Sequence, residues 1–265
     1  MNRVLIFLFL FFPLFAQATI SRHTYHTVLN VTENIYGKIF AQQKKHLQIS
    51  RNWENDELRA SAWHQEDRRG IIAELRIPGG IARHPLVNAD AFTLIVCHEI
   101  GHHLAGEPKI WRYSVEGQAD YFGASECLRR ILPKLPENYT LRHRMVPNIV
   151  TERCQQNYIT EQERTICIRT IMAGYRLAKF LAKKEALKEP HLNQAEQHIV
   201  KQTNYRVPSP QCRLDTYIAA ALCQVERQDK QNWLCVKGKH SLEMIRPACW
   251  FSSKVPYESE SIGKK

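Results

Sequence analysis

Residues 89–106, ADAFTLIVCHEIGHHLAG, place a His-Glu-x-x-His pattern inside an apolar stretch that favours a helix. At about 100° per residue, the side chains of His98, Glu99 and His102 lie at roughly 0°, 100° and 40° on one helix face. Two imidazoles one turn apart can bind one zinc ion. Glu99 is then placed to take a proton from a water held at that ion, which is the role of a general base.

The pattern along the rest of this helix predicts that the helix is buried, because apolar residues cover most of its remaining circumference. These residues are Phe92, Leu94, Ile95, Val96, Ile100 and Leu104. Asn88 or Asp90 can cap the start of the helix, and Gly106 suits its end.

A second helical stretch begins at Ser114 and stops at Pro133. It carries Glu116 and Asp120 one turn apart. Glu116 can supply a third protein ligand, which completes a His, His, Glu zinc site with one open position. Asp120 can accept a hydrogen bond from a ligand imidazole, with His98 as the expected partner.

The alternative for the first pattern is a chance match. The alternative for the second is a helix face exposed to solvent. A coincidence of both patterns is improbable, so the sequence predicts one Zn²⁺ per chain.

The two motifs together resemble the gluzincin class of zinc peptidases. The metzincin pattern does not fit, because it requires Gly at position 105 and His at position 108, where this chain has Ala105 and Pro108.

Residues 77–81 (IPGGI), 90–103 and 114–123 sharpen this resemblance to the CAAX-prenyl endopeptidase and heat-shock membrane protease family. The match extends over about residues 25–130 and returns faintly near 208–222. The chain lacks the spanning helices of the membrane members, and Cys97 stands beside the first ligand. The resemblance therefore implies an exported peptidase acting on proteins, and it does not imply prenylated substrates.

The family also has a His-Pro-x-x-x-x-Arg-Ile/Leu stretch, whose His looks like the donor to the tetrahedral oxyanion. Pro208, Arg213 and Leu214 fit this pattern, but Val207 occupies the His position. Valine cannot donate a hydrogen bond, so either the chain is a weak or inactive peptidase or another donor replaces the His.

Arg213 is the first candidate for this catalytic donor, followed by Tyr205 and Tyr217. Their alternative roles are a structural ion pair, with Asp215 as the partner of Arg213, and packing in the core.

The amino terminus is typical of a secretory signal peptide at residues 1–18. A short basic start precedes the apolar run at 4–15, and Ala-Gln-Ala at 16–18 forms a cleavage site. An uncleaved anchor is the alternative, but the run is shorter than the ~20 residues that span a bilayer. No later stretch is long and apolar enough to span, so no transmembrane segment is expected after cleavage.

The chain is basic, with a formal net charge of +11. Its Lys and Arg are scattered and no nucleic-acid motif occurs, so we do not expect nucleic acid as a partner. The charge leaves association with the cell envelope open.

Eight cysteines in an exported chain favour disulfides. Cys212 and Cys223 lie eleven residues apart on one predicted helix, about 16 Å along its axis, which is too far for a direct bond. We expect them to bond cysteines elsewhere, such as Cys235 or Cys249.

The order of predicted elements indicates an α+β fold: a mostly helical, zincin-like metalloprotease domain with a small antiparallel sheet and a disulfide-stapled helical carboxy-terminal part. The predicted divisions are the signal peptide (1–18), the zincin-like core (19–150) and a helical region packing on it (151–265). A Thr-x-x-Glu pattern at Thr160 predicts the start of a long helix in that region.

The sequence thus predicts a secreted or periplasmic zinc endopeptidase that binds a protein or peptide in extended form along a strand edge. An exported zinc-containing binding or assembly protein with weak or no hydrolysis is the alternative. Hydrolysis of non-protein envelope material by the same site is a third, weaker option.

Overall fold

The protein is described here by a computed structural model over residues 20–68, 70–135, 146–224, 234–236 and 240–253. The predicted signal peptide lies outside these described residues. Within them the chain has a mixed α+β fold with many helices and a small sheet. No helix in this part of the chain is long and apolar enough to cross a membrane.

Helix α1 (Arg22–Gln42) begins after Ser21, whose hydroxyl accepts a hydrogen bond from the Thr24 amide at 3.1 Å. Its buried side chains recur every three or four residues, as in an amphipathic helix. The buried Tyr25 hydroxyl donates to the Ile77 carbonyl oxygen at 2.5 Å. This bond ties α1 to the end of the sheet that leads to the predicted zinc helix.

The sheet has three strands, β1 (Lys45–Asn52), β2 (Ser61–Asp67) and β3 (Gly70–Pro78), in the order β1-β3-β2. Strands β2 and β3 form an antiparallel hairpin, whereas β1 pairs with β3 in parallel. The prediction of a purely antiparallel sheet is therefore wrong, and the sheet is mixed.

The parallel pair exists because the connection at 53–60 crosses the end of β3 to reach the opposite edge of the sheet. Glycine makes this crossing sterically feasible. A Cβ on Gly79 would lie 1.9 Å from the Trp53 carbonyl oxygen, and one on Gly80 would lie 2.3 Å from that of Asp56. Alternation of side chains along a strand does not encode strand direction, so the sequence pattern could not reveal this topology.

After the short helix α2 (Gly79–Arg83), the central helix α3 runs over Ala89–Leu104. Asn88 provides the cap, because its side-chain oxygen accepts the Ala91 amide at 2.9 Å. Every residue from 90 to 101 is buried, as predicted. Helix α1 and the sheet both contact α3.

A two-stranded hairpin, β4 (Lys109–Ile110) and β5 (Tyr113–Ser114), joins α3 to the second predicted helix. That helix is continuous in path but varied in type: it comprises α4 (Glu116–Phe122), a π-helical turn (Gly123–Cys127), α5 (Leu128–Ile131) and a 3₁₀ turn (Leu132–Lys134).

Three further helices follow: α6 (Asn148–Asn157), α7 (Glu161–Lys184) and α8 (Pro210–Leu222). Thr160 caps α7 as predicted, with its hydroxyl accepting the Glu163 amide. A buried bidentate pair between Arg169 and Asp90, at 3.0 and 2.7 Å, fastens α7 to α3.

All eight cysteines form disulfides: Cys97–Cys127, Cys154–Cys167, Cys212–Cys249 and Cys223–Cys235. The prediction that Cys212 and Cys223 do not bond each other is confirmed, and their partners are the two that were expected. Four disulfides indicate an oxidising, exported environment.

Candidate metal centre

Helices α3 and α4 bring His98, His102 and Glu116 together, with one potential ligand atom from each within 4.8 Å of the others. His98 Nε2 lies 3.3 Å from Glu116 Oε2, and His102 Nε2 lies 3.7 Å from Oε1. The three side chains predicted as ligands therefore converge, and this group could hold a metal ion.

The tautomers of both imidazoles follow from their outer partners. His98 Nδ1 lies 2.7 Å from Asp120 Oδ1, and His102 Nδ1 lies 2.8 Å from the Ser114 carbonyl oxygen. Both partners only accept hydrogen bonds, so each Nδ1 carries a proton. Arg213 Nη2 also lies 3.4 Å from His98 Nδ1, but at this distance it does not compete with Asp120. In a neutral ring Nε2 then presents a lone pair, and both lone pairs face the Glu116 carboxylate. These three electron-rich groups repel one another, and a bound cation would remove that repulsion. The donor set therefore fits a metal ion.

The charges around the cluster also favour a cation. Burial lowers the pKa of His98, but the Asp120 and Glu116 carboxylates raise it to about 10. Burial and the charge on His98 lower the pKa of His102 to about 4. Burial raises the pKa of Glu116, but His98 and Arg213 hold it well below its usual range. The carboxylates thus stabilise positive charge at His98, where a metal cation would take the place of the ring proton, whereas His102 stays neutral and can act as a ligand.

Gly101, between the two histidine ligands, allows α4 to approach α3. A Cβ at this position would lie 2.8 Å from the Ala119 carbonyl oxygen and 2.9 Å from the Ala119 Cα. The neighbour is backbone, so it cannot move aside without shifting α4. The absence of a side chain at Gly101 therefore helps set the distance from Glu116 to the two imidazoles.

Arg213, the predicted oxyanion donor, lies behind His98 on α8. Its Nε and Nη2 each lie 2.7 Å from an oxygen of Asp120, which makes a buried bidentate pair. Its Nη1 lies 3.6 Å from Glu116 Oε2. Most of the guanidinium is thus used to hold the carboxylate that orients His98, and Nη1 is the nitrogen that approaches the ligand cluster.

Two other residues considered together with Arg213 in the sequence, Tyr217 and Asp215, have different contacts. The buried Tyr217 hydroxyl donates to Asp120 Oδ1 at 2.7 Å. Asp215 does not pair with Arg213, contrary to the suggested ion pair, and instead accepts the Glu196 amide at 2.7 Å. The difference arises because Asp215, two residues along α8, projects from another side of that helix.

A cavity of about 740 Å³ opens over the cluster. Its lining includes Glu99, whose pKa burial raises to about 7. Tyr205, Arg213 and Val207 also line it, and Val207 is 55% exposed. Tyr217 is not part of this lining.

Two walls of the cavity differ in character. One is the segment 58–63, which includes the start of the edge strand β2. The other is apolar and is built from α7 and the elements beneath it: Ile81, Ile95, Leu177, Phe180 and Leu181. The cavity lining therefore combines residues of a strand edge with apolar side chains.

Sequence reasoning missed several contributors to this site. The Ser114 carbonyl could not be found, because a backbone acceptor carries no residue identity. Arg59 lines the cavity close enough to lower the pKa of Glu99, against the larger effect of burial. The Tyr113 hydroxyl accepts the His64 amide on the outer edge of β2 at 2.6 Å. For Tyr113, the available signal was its place shortly after the zinc motif.

Comparison with protein-family models, curated proteins and solved structures finds no match to this chain.

Proposed function

We propose that this chain is an exported zinc-dependent endopeptidase, secreted or periplasmic. The observation that carries the proposal is the position of Glu99, a carboxylate outside the ligand set, in the same open cavity as His98, His102 and Glu116. A site that served only to bind a metal would have no use for a second carboxylate, outside the ligand set, beside the open position.

Zinc is the proposed metal because two imidazoles and one carboxylate, with a position left open, are the donor set of catalytic zinc sites. When bound, zinc supplies a Lewis acid and lowers the pKa of a water in the open position.

The protein's own groups have distinct tasks in this proposal. Glu99 accepts the proton of the attacking water and returns it to the leaving amine. Asp120 and the Ser114 carbonyl hold the two imidazoles with their Nδ1 protons outward and Nε2 inward. Arg213 keeps Asp120 ionised, and its pair with that carboxylate lowers the Asp120 pKa against the effect of burial.

The edge of β2 supports binding of an extended peptide. The His64 N–H points to the outer edge, because it donates to the Tyr113 hydroxyl. Backbone groups alternate in direction along a strand, so those of Ala62 face the same edge. No strand of the described chain covers that edge, and Ala62 lines the cavity. A substrate strand can pair there and lie across the ligand cluster.

The apolar wall on α7 suggests where one substrate side chain lies. Leu177, Phe180 and Leu181 line the cavity together with the start of β2. An apolar substrate residue next to the scissile bond would bury its surface against this wall.

Export is supported by the four disulfides and by the signal-like sequence at residues 1–18. A zinc-containing binding or assembly protein is the second candidate. Val207 favours it, because this residue lines the cavity and provides no donor for an oxyanion.

Metal analysis and digestion of a peptide library test the proposal together. We expect about one zinc per chain and cleavage beside apolar residues. Cleavage should stop with a chelator and return with added zinc. Stoichiometric zinc without any cleavage would favour the binding protein.

A further inference from the structure

We propose a second binding site, for a phosphate-type oxyanion, in a cavity of about 280 Å³ that shares the hairpin β4–β5 with the metal centre. Its polar lining comprises Lys45, His64, His103, Lys109 and Arg112. This inference uses different side chains from the peptidase proposal and does not depend on it.

The first argument is uncompensated positive charge. Lys45, Lys109 and Arg112 converge on the cavity, and no ion pair joins them to a carboxylate in the described part of the chain. The ammonium of Lys45 contacts the Gln43 amide oxygen at 3.4 Å. Burial, followed by the charge of Lys109, lowers the pKa of Lys45. A bound anion would relieve this repulsion, whereas a metal cation would increase it.

The second argument is a buried histidine that is poorly satisfied by the described residues. His103 is only 4% exposed and lines the cavity, yet neither ring nitrogen makes a hydrogen bond of good geometry within those residues. The Glu74 backbone interacts weakly with the ring and raises its pKa against the larger effect of burial. His64, with its ring centroid 4.7 Å away, also has a buried Nδ1 without a partner among those residues.

Buried polar groups in proteins almost always have a partner, which indicates that a ligand completes this cavity. Each neutral imidazole can donate one N–H. A ligand with a single carboxylate could not both accept hydrogen bonds from two such donors and neutralise three cations. A phosphate monoester carries about 1.5 to 2 negative charges at neutral pH and offers three acceptor oxygens, and inorganic phosphate offers a fourth oxygen.

Two sources can supply a phosphate of this kind: a free phosphate and the phosphomonoester headgroup of phosphatidic acid. The tip of the hairpin supports a lipid as the source, because Ile110 is 44% and Trp111 is 93% exposed there, beside the basic residues. An aromatic side chain next to cations suits the boundary between lipid headgroups and acyl chains.

Isothermal titration of the full chain with inorganic phosphate, at constant ionic strength set by chloride, tests the site. We expect saturable, submillimolar binding to the parent, and at least a tenfold loss of affinity in Lys45→Gln/Lys109→Gln. Lys38→Gln is the matched control, because Lys38 is an exposed lysine on α1 outside the cavity, and it should bind like the parent. His103→Leu should weaken binding without adding or removing a lysine. If the double variant does not fold, Lys109→Gln alone serves in its place.

The proposal is overturned if the parent shows no binding beyond that of chloride, or if the double variant binds phosphate as tightly as the parent. The second result would place the phosphate elsewhere, for instance at the metal centre. Flotation with phosphatidylcholine vesicles, with and without phosphatidic acid, identifies the source. Lysine-dependent flotation with phosphatidic acid would support a lipid headgroup, and binding of inorganic phosphate alone would support a free phosphate.

Discussion

His98 Nδ1 and Asp120 Oδ1 lie 2.7 Å apart in the interior of the protein, and Asp120 is completely buried. The bond fixes the imidazole so that Nε2 faces the ligand cluster. Because Arg213 neutralises the same carboxylate, one buried network links α3, α4 and α8.

Asp120→Asn should lower zinc affinity about 10- to 100-fold, because the amide keeps the shape of the side chain but loses the charge that favours the His98 tautomer. Competition with a chromophoric chelator measures the change. Glu126→Gln is a matched control from the same helical run, since its carboxylate pairs with Arg130 and lies outside the cluster. Equal losses in the two variants would contradict the role given to Asp120.

Gly101→Ala should destabilise the fold by about 1–3 kcal/mol and reduce zinc affinity, because the new Cβ meets the Ala119 backbone. Gly37→Ala provides the control. Gly37 lies within α1, and a Cβ there would have no atom within 4 Å, so alanine should stabilise by roughly 0.5–1 kcal/mol. Thermal unfolding with and without zinc measures both. An unchanged Gly101→Ala variant would show that this close approach does not set the site.

The ligand helix and its neighbour could be predicted because their signals are local. His98 and His102 are one turn apart, as are Glu116 and Asp120, so helical periodicity alone places each pair. The partner of Arg213 could not be predicted in this way. Asp120 is 93 residues distant, and only the packing of α8 on α4 brings the two together.

The same limit explains the error in the sheet. The direction of β1 depends on where the connection at 53–60 crosses, which no local pattern reveals. Part of the disulfide pairing could be predicted, since helix length alone excludes a bond between Cys212 and Cys223.

Removing the Cys97–Cys127 disulfide by a double Ala substitution should cost about 3–4 kcal/mol of stability, given the 30 residues between the two cysteines. It should also weaken zinc binding, because Cys97 precedes His98. Removing Cys154–Cys167, which joins α6 to α7, should destabilise the protein and leave zinc affinity unchanged. Denaturant unfolding and zinc titration of both variants make the comparison. Similar zinc affinities in the two variants would show that the Cys97–Cys127 disulfide does not support the metal centre.

Arg213→Lys and Tyr205→Phe should distinguish the two candidate oxyanion donors that line the cavity. Lysine retains a positive charge near Asp120 but lacks the planar fork, so at least a tenfold loss of kcat with zinc retained would assign the donor to Arg213. The same loss in Tyr205→Phe would assign it to the phenol. Arg213→Ala is less informative than Arg213→Lys, because it leaves Asp120 buried without its cation and we expect it to lose zinc as well. If neither variant changes kcat, both residues are excluded as donors.

Glu99→Gln tests the central claim most directly, through zinc content and peptide hydrolysis measured on the same preparation. We expect about one zinc per chain, as in the parent, because Glu99 is not a ligand, and a loss of turnover of at least ~10²-fold, because glutamine cannot accept the proton. His102→Ala should instead lose the metal. A Glu99→Gln variant that keeps its zinc and cleaves peptides as fast as the parent would contradict the account.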